Sequence, residues 1–238
     1  MKDATSPLAA CRQLLVVMAP DWASATGQLR RFTRARTDAA WQAEGECMPV
    51  SLGRHGLAWG IGLHGTGDAA GPHKCEGDGR APAGVFTIDG LFGEAPTDSP
   101  WVRTTRLPYQ PAHQALKCID DPASCHYNRI VDADAVDRDW LSCETMLRDD
   151  ARYAIGALIG HNPDRLPGAG SCLFIHVWEG PGLPTAGCTA GAHEQIMALC
   201  AWLDEACAPA LVQLPAAAYR RYQAAWGLPP APEILPER

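Results

Sequence analysis

The chain has 238 residues, of which 47% are hydrophobic and 20% charged, ordinary proportions for a globular protein with a sizeable core. Its formal net charge is −7 and no basic stripe stands out, which argues against a nucleic-acid partner. No apolar segment is long enough for a membrane span. We therefore expect one domain over residues 10–228 and a loose Pro-rich tail over 229–238.

Strands dominate the expected structure of the first half of the chain. The apolar run 13–18 predicts a first buried strand. The run is too short for the hydrophobic region of a signal peptide and has no basic flank. Short helices are expected over 26–34 and 38–41. Strands 48–52 and 56–60 are expected to form a hairpin about the Gly-Arg-His-Gly turn between them.

The second half mixes strands with two longer helices. A helix is expected over residues 140–150, and strands are expected over 84–88, 101–106, 153–159, 173–177 and 211–214. An amphipathic helix is predicted over 192–207 by apolar residues at helical spacing: Ile196, Leu199, Cys200, Leu203 and Cys207. The whole pattern indicates a mainly β fold with peripheral helices, built as a two-sheet sandwich or a barrel-like core.

A histidine and a cysteine mark the stretch with the clearest chemistry. His176 interrupts an apolar strand, and Cys188 follows a Gly/Pro-dense loop on a small-residue turn that is expected to lead into a helix. Acyl transfer requires the thiolate form of a cysteine, and a neighbouring imidazole can produce it by removing the thiol proton. Gly187 permits close approach of a substrate carbonyl, and the N–H groups of Gly187 and Cys188 are expected to face the oxyanion. The alternative is that His176 and Cys188 are ordinary buried residues of the core.

Three segments resemble the L,D-transpeptidase (YkuD-type) family. His176 followed by Thr185-Ala-Gly-Cys188 is similar to the family's His and Ser/Thr-x-Gly-Cys signature. Segment 74–86, with its Gly-Asp and Ala-Pro-x-Gly-x-Phe, resembles an upstream family segment, and 120–129 resembles the Asp-rich Tyr-Asn segment of one branch. Ala186 and Ala190 stand where many members have His and Arg, so the resemblance is to a divergent branch.

The resemblance implies the two-sheet L,D-transpeptidase fold and a peptidoglycan transpeptidase of the cell envelope or periplasm, although no signal peptide is visible. Cys188 would attack the diamino acid carbonyl of a tetrapeptide donor, His176 would take the thiol proton, and an amine of a second stem would resolve the thioester without a cofactor. The product would be a 1,3 link or the usual 3,3 link. Stem-binding candidates are Thr185, Trp178, Tyr127, Asn128 and Asn162, each of which has a core or turn role as its alternative.

Two other functions stay open: a cysteine peptidase that uses water as acceptor, and a non-catalytic peptidoglycan-binding module. Among the ten cysteines, Cys118 and Cys125 either close a small disulfide or remain free thiols. No metal is expected, because neither of the two sets of potential ligands has zinc-site spacing: His64, His73 and Cys75, or Cys118, Cys125 and His126.

Overall fold

The computed structural model describes residues 6–68 and 70–231, and within them the protein is mainly β with two α-helices. The helices are α1 (His193–Trp202) and α2 (Ala216–Trp226). The strands are β1 (Gln13–Ala19), β2 (Thr26–Thr33), β3 (Gln42–Ser51), β4 (Leu57–Trp59), β5 (Ala81–Gly93), β6 (Tyr109–Pro111), β7 (Leu116–Cys118), β8 (Ile130–Asp132), β9 (Glu144–Thr145), β10 (Ile155–Ile159), β11 (Phe174–Val177), β12 (Thr189–Gly191) and β13 (Ala210–Pro215).

The main sheet closes into a barrel. Its strands follow the order β10-β11-β12-β3-β2-β1-β13-β5, and β5 pairs back onto β10 to complete the ring. β1 and β13 pair in parallel and are buried along their whole lengths, so they form the centre of the core. A separate small sheet has the order β8-β7-β9. The predicted mainly β class and the buried first strand are confirmed.

The two short helices predicted near the N-terminus are wrong. Residues 26–34 hold β2, whose pairing with β3 shifts register between Leu29 and Arg31. Because of this shift, Leu29 and Phe32 are both buried although they are three residues apart, a spacing that is typical of a helix rather than a strand. Residues 38–41 form the turn between β2 and β3. The hairpin of strands 48–52 and 56–60 is also wrong, because β3 pairs with β2 and β12 while β4 pairs with β5.

Two further elements differ from expectation because side chains bond to the backbone. Residues 101–106 contain a 3₁₀ turn, Val102–Thr104, rather than a strand. There the hydroxyls of Thr104 and Thr105 donate to backbone carbonyls three residues earlier. Residues 140–150 are not a helix: the Asp121 carboxylate binds the Leu141 N–H, and β9 pairs with β7.

The last part of the chain shows where the predicted helix 192–207 ends and where a second helix was missed. α1 stops at Trp202 because Gln13 receives the Asp204 N–H and donates to the Trp202 carbonyl. Cys200 is buried as expected, whereas Cys207 is only half-buried in a 3₁₀ turn. α2 was not predicted, although the strand 211–214 before it was. No helix in the described ranges is long and apolar enough to cross a membrane.

The start of the predicted tail is held against α2. The Pro229 carbonyl accepts hydrogen bonds from Tyr219 Oη (2.7 Å) and Gln223 Nε2 (2.9 Å), and Ala231 is buried. Residues 232–238 of that tail lie outside the described residues.

A second, smaller core positions the site. It packs the small sheet against one face of β5 and β11, and its buried members are Phe92, Leu116, Cys118, Met146, Tyr153, Cys172, Phe174 and Cys188. A disulfide joins Cys118 on β7 to Cys172, two residues before β11. Of the two alternatives for Cys118 and Cys125, the bridge between them is wrong, because Cys118 is bonded to Cys172. Cys125 is an exposed free thiol, as the other alternative has it, whereas Cys118 is not free.

Candidate active site

Cys188 lies immediately before β12, which is the neighbour of the strand that carries His176. β11 and β12 run parallel, and His176 is paired in register with Ala190. The Phe174 N–H donates to Cys188 Sγ at 3.4 Å. The expected helix directly after the cysteine is wrong, because α1 begins only at His193, after β12. The sulfur therefore accepts a hydrogen bond from a backbone N–H of β11 and does not lie at the N-terminus of a helix.

The turn before Cys188 is closed by Thr185. Its hydroxyl donates to the Cys188 carbonyl (2.7 Å) and accepts the Gly187 N–H (3.1 Å). A Cβ at Gly187 would lie 3.1 Å from the carbonyl oxygen of Arg80, the residue before β5, so the absence of a side chain allows these two backbone segments to pack closely. Because the Gly187 N–H is used within the turn, the Cys188 N–H is the better candidate for an oxyanion donor.

The His176 ring is buried and held by its own strand. Nδ1 lies 2.7 Å from the Val177 carbonyl oxygen, so Nδ1 carries the proton and Nε2 keeps a free lone pair. Burial lowers the pKa of the His176 imidazole to about 4, and the nearby Arg152 and Arg148 lower it further, while the Val177 carbonyl and Asp150 offset only part of this effect. The ring is therefore neutral near pH 7, which is the state a general base requires.

The Cys188 thiol is 7% exposed, and burial raises its pKa to about 12. Its Sγ–H points towards the Cys172 carbonyl oxygen at 3.7 Å. Among the described residues no hydrogen bond joins this thiol to His176. The resting pair is thus a neutral thiol and a neutral imidazole rather than an ion pair.

One cavity of about 380 Å³ is lined by both His176 and Cys188. Trp178 and Thr185, two of the predicted stem-binding residues, also line it, and Trp178 shares the side of β11 that faces the cavity with His176. Ala186 and Ala190, which stand in place of the family's His and Arg, form part of the same wall.

The opposite wall was missed from the sequence. It comes from the segment 143–153 and consists of Cys143, Glu144, Thr145, Arg148, Arg152 and Tyr153. Burial raises the pKa of Glu144, whose carboxylate accepts the Tyr153 hydroxyl at 2.5 Å. Tyr153 packs edge-on against His176, with ring centroids 5.2 Å apart. The signal that could have found this wall is the density of alternating charges over 144–152, which the expected helix concealed.

Tyr127, Asn128 and Asn162 do not line the Cys188 cavity. Asn128 and Asn162 line a separate cavity of about 500 Å³ that shares no residue with the first. Asn128 Nδ2 donates to the carbonyls of His161 (2.9 Å) and Asn162 (3.1 Å), and its Oδ1 accepts the Cys172 N–H (3.0 Å). These bonds hold the loop that leads into β11, so Asn128 supports the site from behind.

The upstream segment 74–86 supports the same loop. Tyr127 donates to Glu76 and accepts the Gly170 N–H, and Ser171 also donates to Glu76 (2.8 Å). Within the segment, the nearly buried Lys74 pairs with Asp78 at 2.5 Å. The three segments that resemble the family are therefore linked to one another through the loop before β11.

Neither of the two sets of potential metal ligands that the sequence offered is brought together among the described residues. Cys118 of the second set is in the disulfide. Its other members, Cys125 and His126, do approach Asp139, with ligand atoms within 4.8 Å of one another. The Asp139 carboxylate, however, already accepts Ser124 Oγ (2.5 Å) and the Cys125 N–H (2.8 Å), which explains its position without a metal.

Comparisons with known protein families, with curated proteins and with solved structures found no match for this chain. The function therefore has to be argued from the residues of the site. The charged cavity around the thiol and the imidazole is the feature on which that argument rests.

Proposed function

We propose that this protein is a cysteine acyltransferase of the L,D-transpeptidase type that cross-links peptidoglycan stem peptides in the cell envelope. The observation that carries the proposal is that His176 and Cys188, the two signature residues, line one cavity from neighbouring parallel strands. The closed β core and the linkage of the three family-like segments support assignment to the L,D-transpeptidase fold as part of the same proposal.

The first half-reaction forms a thioester. Cys188 Sγ attacks the carbonyl carbon of the diamino acid that precedes the terminal D-alanine, and the thiol proton passes to His176 Nε2. The Cys188 N–H donates to the oxyanion. When the amide C–N bond breaks, His176 returns the proton to the leaving amine of D-alanine.

The second half-reaction transfers the acyl group. An amine of a second stem attacks the thioester carbonyl carbon, and His176 Nε2 takes a proton from that amine. The C–S bond then breaks, and His176 passes this proton to the departing sulfur, which restores the Cys188 thiol. The Nδ1–H bond to the Val177 carbonyl keeps the same nitrogen, Nε2, aimed at the cavity in both half-reactions.

The resting geometry sets one requirement for this chemistry. The thiol has a raised pKa and points at the Cys172 carbonyl, so it must turn towards the imidazole when substrate enters. The Phe174 N–H on the sulfur lowers the pKa of the thiol and offsets part of the burial effect. The thiol proton then moves to His176 as the C–S bond forms, so the resting enzyme does not need to hold Cys188 as a thiolate.

Incubation with defined disaccharide-tetrapeptides, followed by chromatography and mass spectrometry, tests the proposal. Cross-linked dimers that lack one D-alanine are expected from the wild type and from Cys143→Ala, which removes the other thiol lining the cavity. A folded Cys188→Ala protein should give none. Hydrolysed tripeptides without dimers would assign a peptidase instead, and binding without turnover would indicate the non-catalytic module.

A further inference from the structure

The carboxylate of Glu144 lies in the wall of the cavity that holds His176 and Cys188, and no cation neutralises it. Its Oε2 accepts the Tyr153 hydroxyl at 2.5 Å, and Oε1 accepts no hydrogen bond from the described residues. No ion pair within the described ranges includes Glu144, and both arginines of the same wall pair with Asp150 instead. A carboxylate that is withdrawn from water without a cation is costly, and such groups cluster at functional sites.

Strand pairing and the disulfide place this carboxylate close to the sulfur. Glu144 lies opposite Cys118 in the pair of β9 and β7. Cys118 is bonded to Cys172, and the Cys172 carbonyl oxygen lies 3.7 Å from Cys188 Sγ. After burial, the negative charge of Glu144 is the largest cause of the raised pKa of the Cys188 thiol. Glu144 is therefore within electrostatic reach of the atom that carries the acyl group.

The transfer step has to remove two protons from its acceptor. Amines of peptides have pKa values of about 8 (α-amine) to about 10.4 (side chain), so at pH 7 most acceptors arrive as an ammonium without a lone pair. One proton has to leave before the attack, and a second has to leave after the C–N bond has formed. His176 Nδ1 already carries a proton, so only Nε2 is available, and it takes the second of the two. The first proton needs another base.

We propose that Glu144 is this second base: it binds the acceptor ammonium through Oε1, takes its first proton and so produces the neutral amine that attacks the Cys188 thioester. This inference rests on the proposed function and assigns a further catalytic residue to the same site. In the step, one ammonium N–H bond breaks and the carboxylate becomes a carboxylic acid, which releases its proton to solvent after the product leaves. Water needs no such deprotonation, so Glu144 favours an amine over water as the acceptor.

The surroundings of Glu144 suit a base that works near neutral pH. Burial raises the pKa of its carboxyl, while the hydrogen bond from Tyr153 and the charge of Arg148 lower it. The charges of Asp120 and Glu76 raise it further. The thiol and the imidazole of the same cavity are both neutral near pH 7. A carboxylate with a raised pKa takes a proton from an ammonium more readily than an ordinary one, because the two pKa values lie closer together.

The test measures transfer from a preformed acyl-enzyme, made with a disaccharide-tetrapeptide donor, to two simple amines at pH 7. Methylamine is an ammonium at this pH and hydroxylamine is neutral, so only methylamine needs the second base. Glu144→Gln keeps an oxygen for the Tyr153 hydroxyl; it should slow transfer to methylamine by roughly 10²-fold or more and transfer to hydroxylamine by less than about 3-fold. An equal effect on both amines, or no effect, would overturn the inference.

The pH dependence of the wild type gives a second readout that needs no variant. With Glu144 as the base, transfer to methylamine should change little between about pH 7 and pH 9, whereas without a base it should rise about 10-fold per pH unit as free amine forms. That rise in the wild type would overturn the inference, even if Glu144→Gln does not fold. A folded Glu144→Gln protein should show the rise.

Glu179→Gln is the matched control, because Glu179 is the other carboxylate of the cavity wall and 70% of its side chain is accessible. This variant should keep the wild-type ratio of the two transfer rates. Absence of an acyl-enzyme on Cys188 would overturn the proposed function and this inference with it. An acyl-enzyme that forms normally, but from which Glu144→Gln transfers to both amines as the wild type does, would overturn this inference alone.

Discussion

The Cys118–Cys172 disulfide connects the small sheet to the strand of the proposed base, so removing it tests both the stability of the fold and the position of the thiol. The two cysteines are 54 residues apart in sequence. Closing a loop of that length stabilises the folded state by about 4 kcal/mol, because it restricts the unfolded chain. With an m-value of roughly 3 kcal/mol/M, the double variant Cys118→Ala/Cys172→Ala should unfold at a urea concentration about 1.3 M lower.

Tryptophan fluorescence in urea measures this shift, and Cys125→Ala is the matched control because Cys125 is free and exposed. The double variant should also expose the nucleophile: the Cys172 carbonyl receives the Cys188 Sγ–H, and loosening it should speed alkylation of Cys188. An unchanged urea midpoint in the double variant, or an equal shift in Cys125→Ala, would refute this assignment of the bridge.

Three other predictions address the base, the pH dependence and the product. His176→Ala should slow acylation of Cys188 by roughly 10²–10⁴-fold, measured as carbapenem adduct formation by mass spectrometry; an unaltered rate would mean that another group activates the thiol. Burial lowers the pKa values of His161 and His176 to about 4, so the unfolded chain binds more protons between pH 6.5 and about 4. The free energy of unfolding should therefore decrease as the pH is lowered from 6.5 to about 4, by about 1.4 kcal/mol per pH unit for each histidine, and the raised pKa of Glu144 should offset part of this loss. His161→Gln, if it folds, should flatten the plot of urea midpoint against pH. A flat plot for the wild type would contradict the assignment. Because Ala186 and Ala190 replace larger side chains at the cavity, dimers should carry 1,3 links, and tandem mass spectra showing two directly joined diamino acids would contradict this.

The elements that were predictable from sequence are those whose own residues determine them. β1 after Gln13 is a continuous apolar run, and β13 is apolar apart from Gln213; both strands are buried along their whole lengths. Cys188 and His176 stand in a recognisable turn and strand. β2 was missed because its register shift allows Leu29 and Phe32, which are three residues apart as on a helix face, to be buried on the same side of the strand. These elements are predicted from the spacing of apolar residues within one short segment, so a register shift in that segment is enough to make a strand look like a helix.

The cavity wall was unpredictable because distant partners determine it. Segment 143–153 is positioned by the pairing of β9 with β7, a strand much earlier in the sequence. The bonds of Asp150 to Arg148 and Arg152 are local, but the sequence does not show that these arginines face Cys188. The disulfide likewise depends on which cysteine the fold brings to Cys118, and that partner is Cys172 rather than the nearer Cys125. The sequence therefore indicated the two residues that we propose to react, whereas the charged residues that line the same cavity required the structure.

The most direct test of the central claim is to trap the acyl-enzyme with a tetrapeptide donor in the absence of an acceptor, and to map the adduct by peptide mass spectrometry. The account predicts a thioester on Cys188 with the mass of the donor minus its terminal D-alanine, strongly reduced in His176→Ala and absent in Cys188→Ala. An adduct on Cys143, or cross-linked product from a folded Cys188→Ala protein, would contradict it.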